Sequence, residues 1–358
     1  MKAFRPFPAL LAVLLGLALT AASPALARPP HSKPIPFKPI PIKVVILTTF
    51  EIGADTSDAP GEFQPWVENY PLKQRRTVPG IERPVRYSAD GVLGVVTGMR
   101  ARPREAVAAL ISGGQFDVSH AYWIVSGIAG VDPKAGSIGS AAWAQWVVDA
   151  DPLYEMDERE VPADWPNGLW SLSATQPGVK GNARGSSGMA WKLDPGLVAW
   201  AYGLSRDVAL PDNPLLQTAR AAYPSEVEAQ KPPHVFLGDA LGTVRFWHGE
   251  RRTQWARDWV RLWTDGQGSL AMSDCEDQGV MDVLSLYGAQ GKVDPRRVLV
   301  LRTASNYTRQ PDGAQPVLKS FTPGGAAAAF QAEWLAGAPV VRAIVKGWPH
   351  YRDTLPKD

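Results

Sequence analysis

The stretch Val298-Leu-Val-Leu-Arg-Thr-Ala-Ser-Asn-Tyr-Thr-Arg309 sets four branched apolar residues in succession before a polar tip. Successive side chains of a strand point to opposite faces, so such a run cannot alternate between core and solvent. It reads as a strand covered on both faces, as the central strands of parallel sheets are. In open α/β sheets ligands bind beyond the carboxyl ends of such strands, which makes Ser305 and Asn306 candidates for a binding site. Ser and Asn also form turns by bonding their own backbone, so a plain turn is an equally good reading of the residues alone.

The rest of the chain repeats the pattern. Residues 43–49 and 91–97 read as buried strands, each ending in a polar or Gly-containing loop, and residues 66–70 as a short helix. A helix is predicted over 104–111, with an apolar stripe ended by Gly113 and Gly114. Residues 120–125 form a strand that stops at Ser126-Gly-Ile-Ala-Gly130, and 140–148 a single further strand. Helices follow over 196–208 and 214–223, then a strand over 234–237 leading to Gly238 and Asp239. The amphipathic helix 253–263 carries Trp255, Trp259 and Trp263 on one side, where they fit a core better than a ligand platform. Helices over 277–287 and about 326–334 complete the order. Strand, glycine loop, helix and strand in repetition predict an α/β fold, a three-layer α/β/α sandwich with a mixed central sheet. Residues 43–358 read as one domain with an irregular insertion at about 149–194, a candidate lid or subunit contact.

The first 27 residues read as a signal peptide. Lys2 and Arg5 precede an apolar run over 9–19, and Ala25-Leu-Ala27 supplies the small residues of a cleavage site after Ala27. The expectation is an exported chain, periplasmic or secreted, with residues 28–42 as a Pro-rich strap. The apolar run is shorter than the roughly 20 residues that span a bilayer. Cys275 is the only cysteine, which excludes an intrachain disulfide. With 37 Lys and Arg against 35 Asp and Glu, the charge balance speaks against nucleic acid as a partner. The five histidines lack metal-ligand spacing, so no metal and no cofactor are expected. A Ser hydrolase elbow, a Walker loop and a dinucleotide fingerprint are all missing.

What remains is a series of polar strand ends: Thr48-Thr49, Thr97-Gly98, Ser126-Gly127, Gly238-Asp239, Asp274-Cys275-Glu276 and Ser305-Asn306. Their order, with the stretches Trp123-Ile-Val-Ser-Gly-Ile-Ala-Gly130, Gly139-Ser-Ala-Ala-Trp143, Trp259-Val-Arg-Leu-Trp263 and Ser273-Asp-Cys-Glu-Asp277, resembles the purine nucleoside permease family over essentially the whole mature chain. That family is similar in turn to the nucleoside phosphorylase and nucleosidase fold. The resemblance implies a nucleoside-phosphorylase-like domain whose substrate-binding residues are Thr97, Gly98, Ser126, Gly127, Asp239, Glu276 and Asn306. Glu276 matches a glutamate that accepts from the ribose hydroxyls. Asn306 stands where many nucleosidases carry an aspartic acid that protonates the leaving purine. An amide has no proton to give, so it can only hydrogen-bond N7 and the group on C6, and oxo- and aminopurines both fit. Glu51, Gly53, Arg100 and Arg102 are the candidates for a phosphate or water site, with phosphate as co-substrate, and Phe236 or Trp247 for stacking on the base.

A chain without a spanning helix cannot itself conduct a nucleoside through hydrocarbon. The first expectation is therefore a nucleoside binder that takes part in uptake beside a separate membrane carrier. The second is a phosphorylase or hydrolase of the N-glycosidic bond, with Glu276 and Asn306 as its catalytic residues. The third is a degenerate fold member serving in assembly, and a homo-oligomer is the further partnership considered.

Overall fold

The computed structural model describes residues 38–182, 188–314 and 324–357. The leader and most of the Pro-rich strap lie outside the described residues, and residues from Lys38 onward form one compact unit. Nine strands position the site: β1 (Val44–Thr48), β2 (Val92–Val96), β3 (Tyr122–Val131), β4 (Ala141–Trp143), β5 (Trp146–Asp149), β6 (Val235–Leu237), β7 (Asp239–Gly242), β8 (Leu270–Asp274) and β9 (Val298–Tyr307). The helices are α1 (Gln64–Asn69), α2 (Arg102–Ser112), α3 (Pro195–Ser205), α4 (Pro214–Ala221), α5 (Glu250–Trp263), α6 (Asp277–Ala289), α7 (Gly325–Lys346) and the short α8 (Trp348–Tyr351). The fold is the α/β sandwich with a mixed sheet that the strand order predicts.

β3 is the axis of the sheet. Along one edge it pairs in parallel with β9 over its whole length. Along the other, residues 122–125 pair in parallel with β1, whereas Gly130 and Val131 pair with the antiparallel β8. β2 extends the sheet beyond β1, and β7 and β5 extend it beyond β8. β9 is buried as its sequence requires, with Val298, Leu299, Val300 and Leu301 all closed to solvent. α7 packs on β9, β3 and β1, while α6 packs on β5 and β7. Trp255 and Trp259 of α5 are buried core residues.

Several boundaries differ from the sequence reading. β3 does not stop at Ser126 but runs through Gly127 and Gly130, because both glycines make room for side chains of neighbouring elements. The predicted strand 140–148 is two strands with separate partners: β4 pairs with β9 and β6, and β5 with β7. α7 continues twelve residues beyond Trp334, through Gly337 and Pro339. Isolated propensity would end a helix there, but a Cβ on Gly337 would stand 2.9 Å from Cζ2 of the buried Trp66, so the glycine serves the packing. Within the insertion, Leu153–Glu155 and Leu169–Ser171 form an antiparallel pair, topped by Trp165 in edge contact with Trp170.

Candidate functional site

β1 and β8 point at each other across the middle of β3, and neither reaches residues 126–129. This fork in the sheet opens a cavity of about 490 Å³, within the usual range for small-molecule sites. Phe50, Met99, Ile128, Phe246 and Ala326 form its apolar walls. Its polar lining includes Glu62, Asp274 and Glu276 near one level of β3 and Ser305 and Asn306 near another, with Thr49 and Ser273 beside them.

The acidic level is organised by Arg302, which leaves the interior of β9 with a side chain 1% exposed. Its Nη2 lies 2.6 Å from Asp277 Oδ1, 3.4 Å from Glu276 Oε2 and 3.6 Å from Asp274 Oδ1. Glu62 joins them from the loop before α1. Its carboxylate accepts from the Thr49 backbone and hydroxyl, both at 2.6 Å, and from Ile128 N at 2.9 Å. One guanidinium thus faces four carboxyls in a dry interior. Burial raises the Glu62 and Asp274 carboxyls above their ordinary range despite Arg302. Burial likewise lifts Glu276, up to about 7, with Arg302 opposing and Glu62 adding to the rise. For Arg302, burial disfavours charge, but Asp277, Asp274 and Glu276 outweigh it and the guanidinium stays protonated. Burial thus favours the protonated form of Glu62 and Asp274 more than water does, and Glu276 titrates at about 7.

Behind this floor stands Glu333 of α7, fully buried, with its Oε2 accepting from Ser126 Oγ at 3.1 Å. Burial holds it well above the usual carboxylate range, and the nearby Glu62 pushes it further. Cys275 lines the cavity as well, its thiol pushed up to about 12 by burial and then by Glu276 and Asp274, so it is no thiolate nucleophile at neutral pH.

The amide level comes from a bulge. Ala304 pairs with Ala129 and Asn306 with Gly130, leaving Ser305 as the extra residue of β9. A bulge re-aims the side chain that follows it, a device common beside binding sites. Asn306 Nδ2 donates to Tyr307 O at 3.0 Å, which fixes the amide and leaves its second N–H and one lone pair of Oδ1, which also accepts from Ser305 Oγ, for a ligand. Ser305 Oγ lies 3.2 Å from Ala129 O and 3.1 Å from Asn306 Oδ1. Gly130 lets the amide sit close, since a Cβ on it would stand 3.1 Å from Asn306 Nδ2. Between Ile128, bonded to Glu62, and Gly130, paired with Asn306, the strand advances about 7 Å at 3.3 Å per residue.

Of the polar strand ends singled out from the sequence, Thr49, Asp274, Cys275, Glu276, Ser305 and Asn306 line the cavity together. The others have internal duties. Thr97 Oγ1 donates to Thr48 O at 3.1 Å, tying β2 to β1, and Gly98 turns the chain at φ +84°. Ser126 meets Glu333 rather than the cavity. Gly127 is the close-packing point of the floor: a Cβ there would overlap the Arg302 guanidinium and stand 2.8 Å from Glu62 Oε1. Asp239 is buried in the sheet, accepting from Trp146 N at 2.9 Å and Ser269 N at 2.6 Å. Glu51 holds its loop onto α1, accepting from Gly61 N and Gln64 N at 2.5 Å each. Gly53 lies in an exposed turn at φ +67°. Arg102 forms a surface pair with Glu82 at 2.8 Å, and Arg100 offers Glu276 only its backbone N–H, at 3.4 Å. Phe236 packs on His234 away from the cavity, and Trp247 lines a neighbouring one; the aromatic rings on the wall are Phe50 and Phe246.

Glu62, Arg302 and Phe246 are the site residues the sequence reading misses. Arg302 carries a usable signal, since a charge within a fully buried run needs buried partners. Glu62 and Phe246 sit in loops with no local signature. Replacing Gly127 by Ala is expected to cost about 1–3 kcal/mol by overpacking this floor. The urea midpoint measures it, and an unchanged midpoint would contradict the contact of Gly127 with Arg302 and Glu62.

Comparison with solved structures places the fold beside those of nucleosidases. A Helicobacter pylori 5′-methylthioadenosine/S-adenosylhomocysteine nucleosidase aligns with a TM-score of 0.52 at 14% identity, over 84% of this chain and 98% of that one. Futalosine hydrolase of the same organism aligns at 0.51 and 13% identity, over 85% and 97%. At this identity they show the fold, a nucleoside-phosphorylase-like α/β sandwich. A Candida albicans purine nucleoside permease is 24% identical over 299 residues, covering 80% of this chain and 73% of that protein. A Schizosaccharomyces pombe protein described as a probable purine nucleoside permease is 24% identical over 262 residues, covering 70% and 75%. The model of the family described as purine nucleoside permease matches residues 41–356, and the chain belongs to that family.

Proposed function

We propose that the cavity at the fork of the sheet binds a purine nucleoside, with the ribose diol on Glu276 and the purine edge on Asn306. The observation that carries this reading is that a buried carboxyl and a fixed amide open on one apolar-walled space. A carboxylate accepts from two adjacent hydroxyls, and an amide pairs with N7 and the substituent on C6. Phe246 and Phe50 supply apolar surface for the ring faces. Among the described residues no helix is long and apolar enough to cross a membrane. The chain then serves nucleoside uptake as an exported, soluble binder that hands its ligand to a separate carrier. Isothermal titration with inosine and adenosine tests the reading, and absence of binding for both would sink it.

A second reading, cleavage of the N-glycosidic bond, is favoured by the floor itself. Carboxyls gathered under the ribose suit the positive charge that grows on the sugar as the bond breaks. Glu62, bonded only by donors, keeps acceptor capacity for a water. Arg102 is paired away at the surface, and no cationic side chain among the described residues lines the cavity, so water suits this site as nucleophile better than phosphate. Incubation with nucleoside, with and without phosphate, separates the cases. Free base without phosphate supports hydrolysis, base only with phosphate supports phosphorolysis, and binding without base leaves the binder.

A further inference from the structure

Beyond Phe246 lies a second compartment of about 250 Å³, and Phe246 is a wall of both. The irregular insertion supplies one side of it through Glu155, and the loop after β7 and the start of α5 supply Arg245, Trp247, Arg252 and Trp255. Its chemistry differs from that of the main cavity: the groups in excess are donors. A buried indole N–H ordinarily finds an acceptor, as Trp259 Nε1 does on Asp149 O at 2.8 Å. Trp255 is 5% exposed, yet its Nε1 has no acceptor among the described residues, and neither has Trp247 Nε1. Arg252 Nη1 likewise makes no hydrogen bond, although it stands 3.3 Å from Glu158. Arg245 pairs with Glu155, Arg252 with Glu155 and Glu158, and Arg251 lies 3.9 Å from Glu158. Of these only Arg245, Arg252 and Glu155 line the compartment, two guanidiniums against one carboxylate.

We propose that this compartment takes a phosphate monoester carried by the nucleoside in the main cavity, so that the chain recognises phosphorylated purine nucleosides. The inference rests on the nucleoside reading of that cavity. The volume is below that of a usual small-molecule pocket, too small for a second nucleoside and sufficient for a substituent. A phosphate group accepts only, which matches a wall of two indole N–H groups and guanidinium donors. Because Phe246 bounds both spaces, one ligand passing that ring fills both, and the insertion gains a role as the wall of the second.

Titration calorimetry on the full chain with adenosine, inosine and their 5′-monophosphates tests this, with inorganic phosphate followed by Trp fluorescence. The monophosphates should bind at least about ten-fold tighter than the matching nucleosides. Arg252→Met should remove that gain while leaving nucleoside affinity within about two-fold, and Trp255→Phe, which keeps the ring and deletes the N–H, should reduce it. Equal affinity for nucleoside and monophosphate, or a gain that survives both substitutions, overturns the proposal. If nucleosides fail to bind but inorganic phosphate still quenches in an Arg252-dependent way, the nucleoside reading falls and the phosphate compartment stands. If neither phosphate nor any monophosphate binds, the compartment is refuted as a phosphate site.

Discussion

Arg302→Met should destabilise the fold by about 3–5 kcal/mol, the usual cost of leaving buried charge without its partner. Among the described residues the guanidinium is the single cation within 4 Å of Asp274, Glu276 and Asp277, and all three are closed to solvent or nearly so. The loss should also depend on pH with a definite sign. In the wild type the folded Glu276 titrates at about 7, above its ordinary 4.5. Its contribution to stability is therefore fully present below about pH 4.5 and is lost as pH rises through 7. Without Arg302, Glu276 and Asp274 lose the largest interaction that lowers them, so they resist ionisation more strongly in the folded state. Urea denaturation at pH 5 and pH 8 should then show a deficit that is smaller at pH 5 and larger at pH 8. A deficit that is flat across this interval would show that Arg302 acts by packing rather than as counter-charge.

The largest effect on ligand binding is expected from Glu276→Gln. Hydrogen bonds to a charged group contribute about 1.5–3 kcal/mol, so nucleoside affinity should fall by roughly 10–100-fold. Neutral glutamine keeps the shape and one acceptor, which separates the charge from the space it fills. In the wild type, affinity should rise between pH 6 and pH 8, since the carboxylate accepts from both hydroxyls and forms as pH passes about 7. The variant should lose this slope. Asn306→Ala should weaken purine nucleosides by about 1 kcal/mol while sparing the contribution of the ribose. Calorimetric titrations at three pH values measure all of this. A Glu276→Gln protein that keeps both its affinity and its pH slope would remove the ribose from that end of the cavity.

How much of this was legible beforehand differs residue by residue, for physical reasons. The run Val298-Leu-Val-Leu301 declares a doubly covered strand because its burial pattern is local. Glu276 and Asn306 were legible as polar groups at strand ends, since a sheet gathers such ends. The bulge at Ser305 was not, because one extra residue shows only against the partner strand. The glycines of residues 126–130 suggested a loop; in the structure they are strand positions whose missing side chains admit Arg302, Glu62 and Asn306. Glu62 reaches the floor from a loop thirteen residues beyond Thr49, its hydrogen-bond partner, a distance no local pattern encodes. Thr97, Ser126 and Asp239, expected as substrate-binding residues, bond neighbouring elements together instead of lining this cavity.

The fork in the sheet also orders the birth of the molecule. β3 is made early, yet two of its three neighbours, β8 and β9, come from residues 270–274 and 298–307. Until those are synthesised, one whole edge of the central strand and part of the other stay open, an apolar template for pairing with other chains. Contacts of such long sequence separation form slowly, because a long loop must close before they repay its entropy. The last strands to emerge thus close the core and build the cavity in one step. Any chain cut short before residue 298 should lose the ligand site and solubility together, rather than folding into a smaller version of the same sheet.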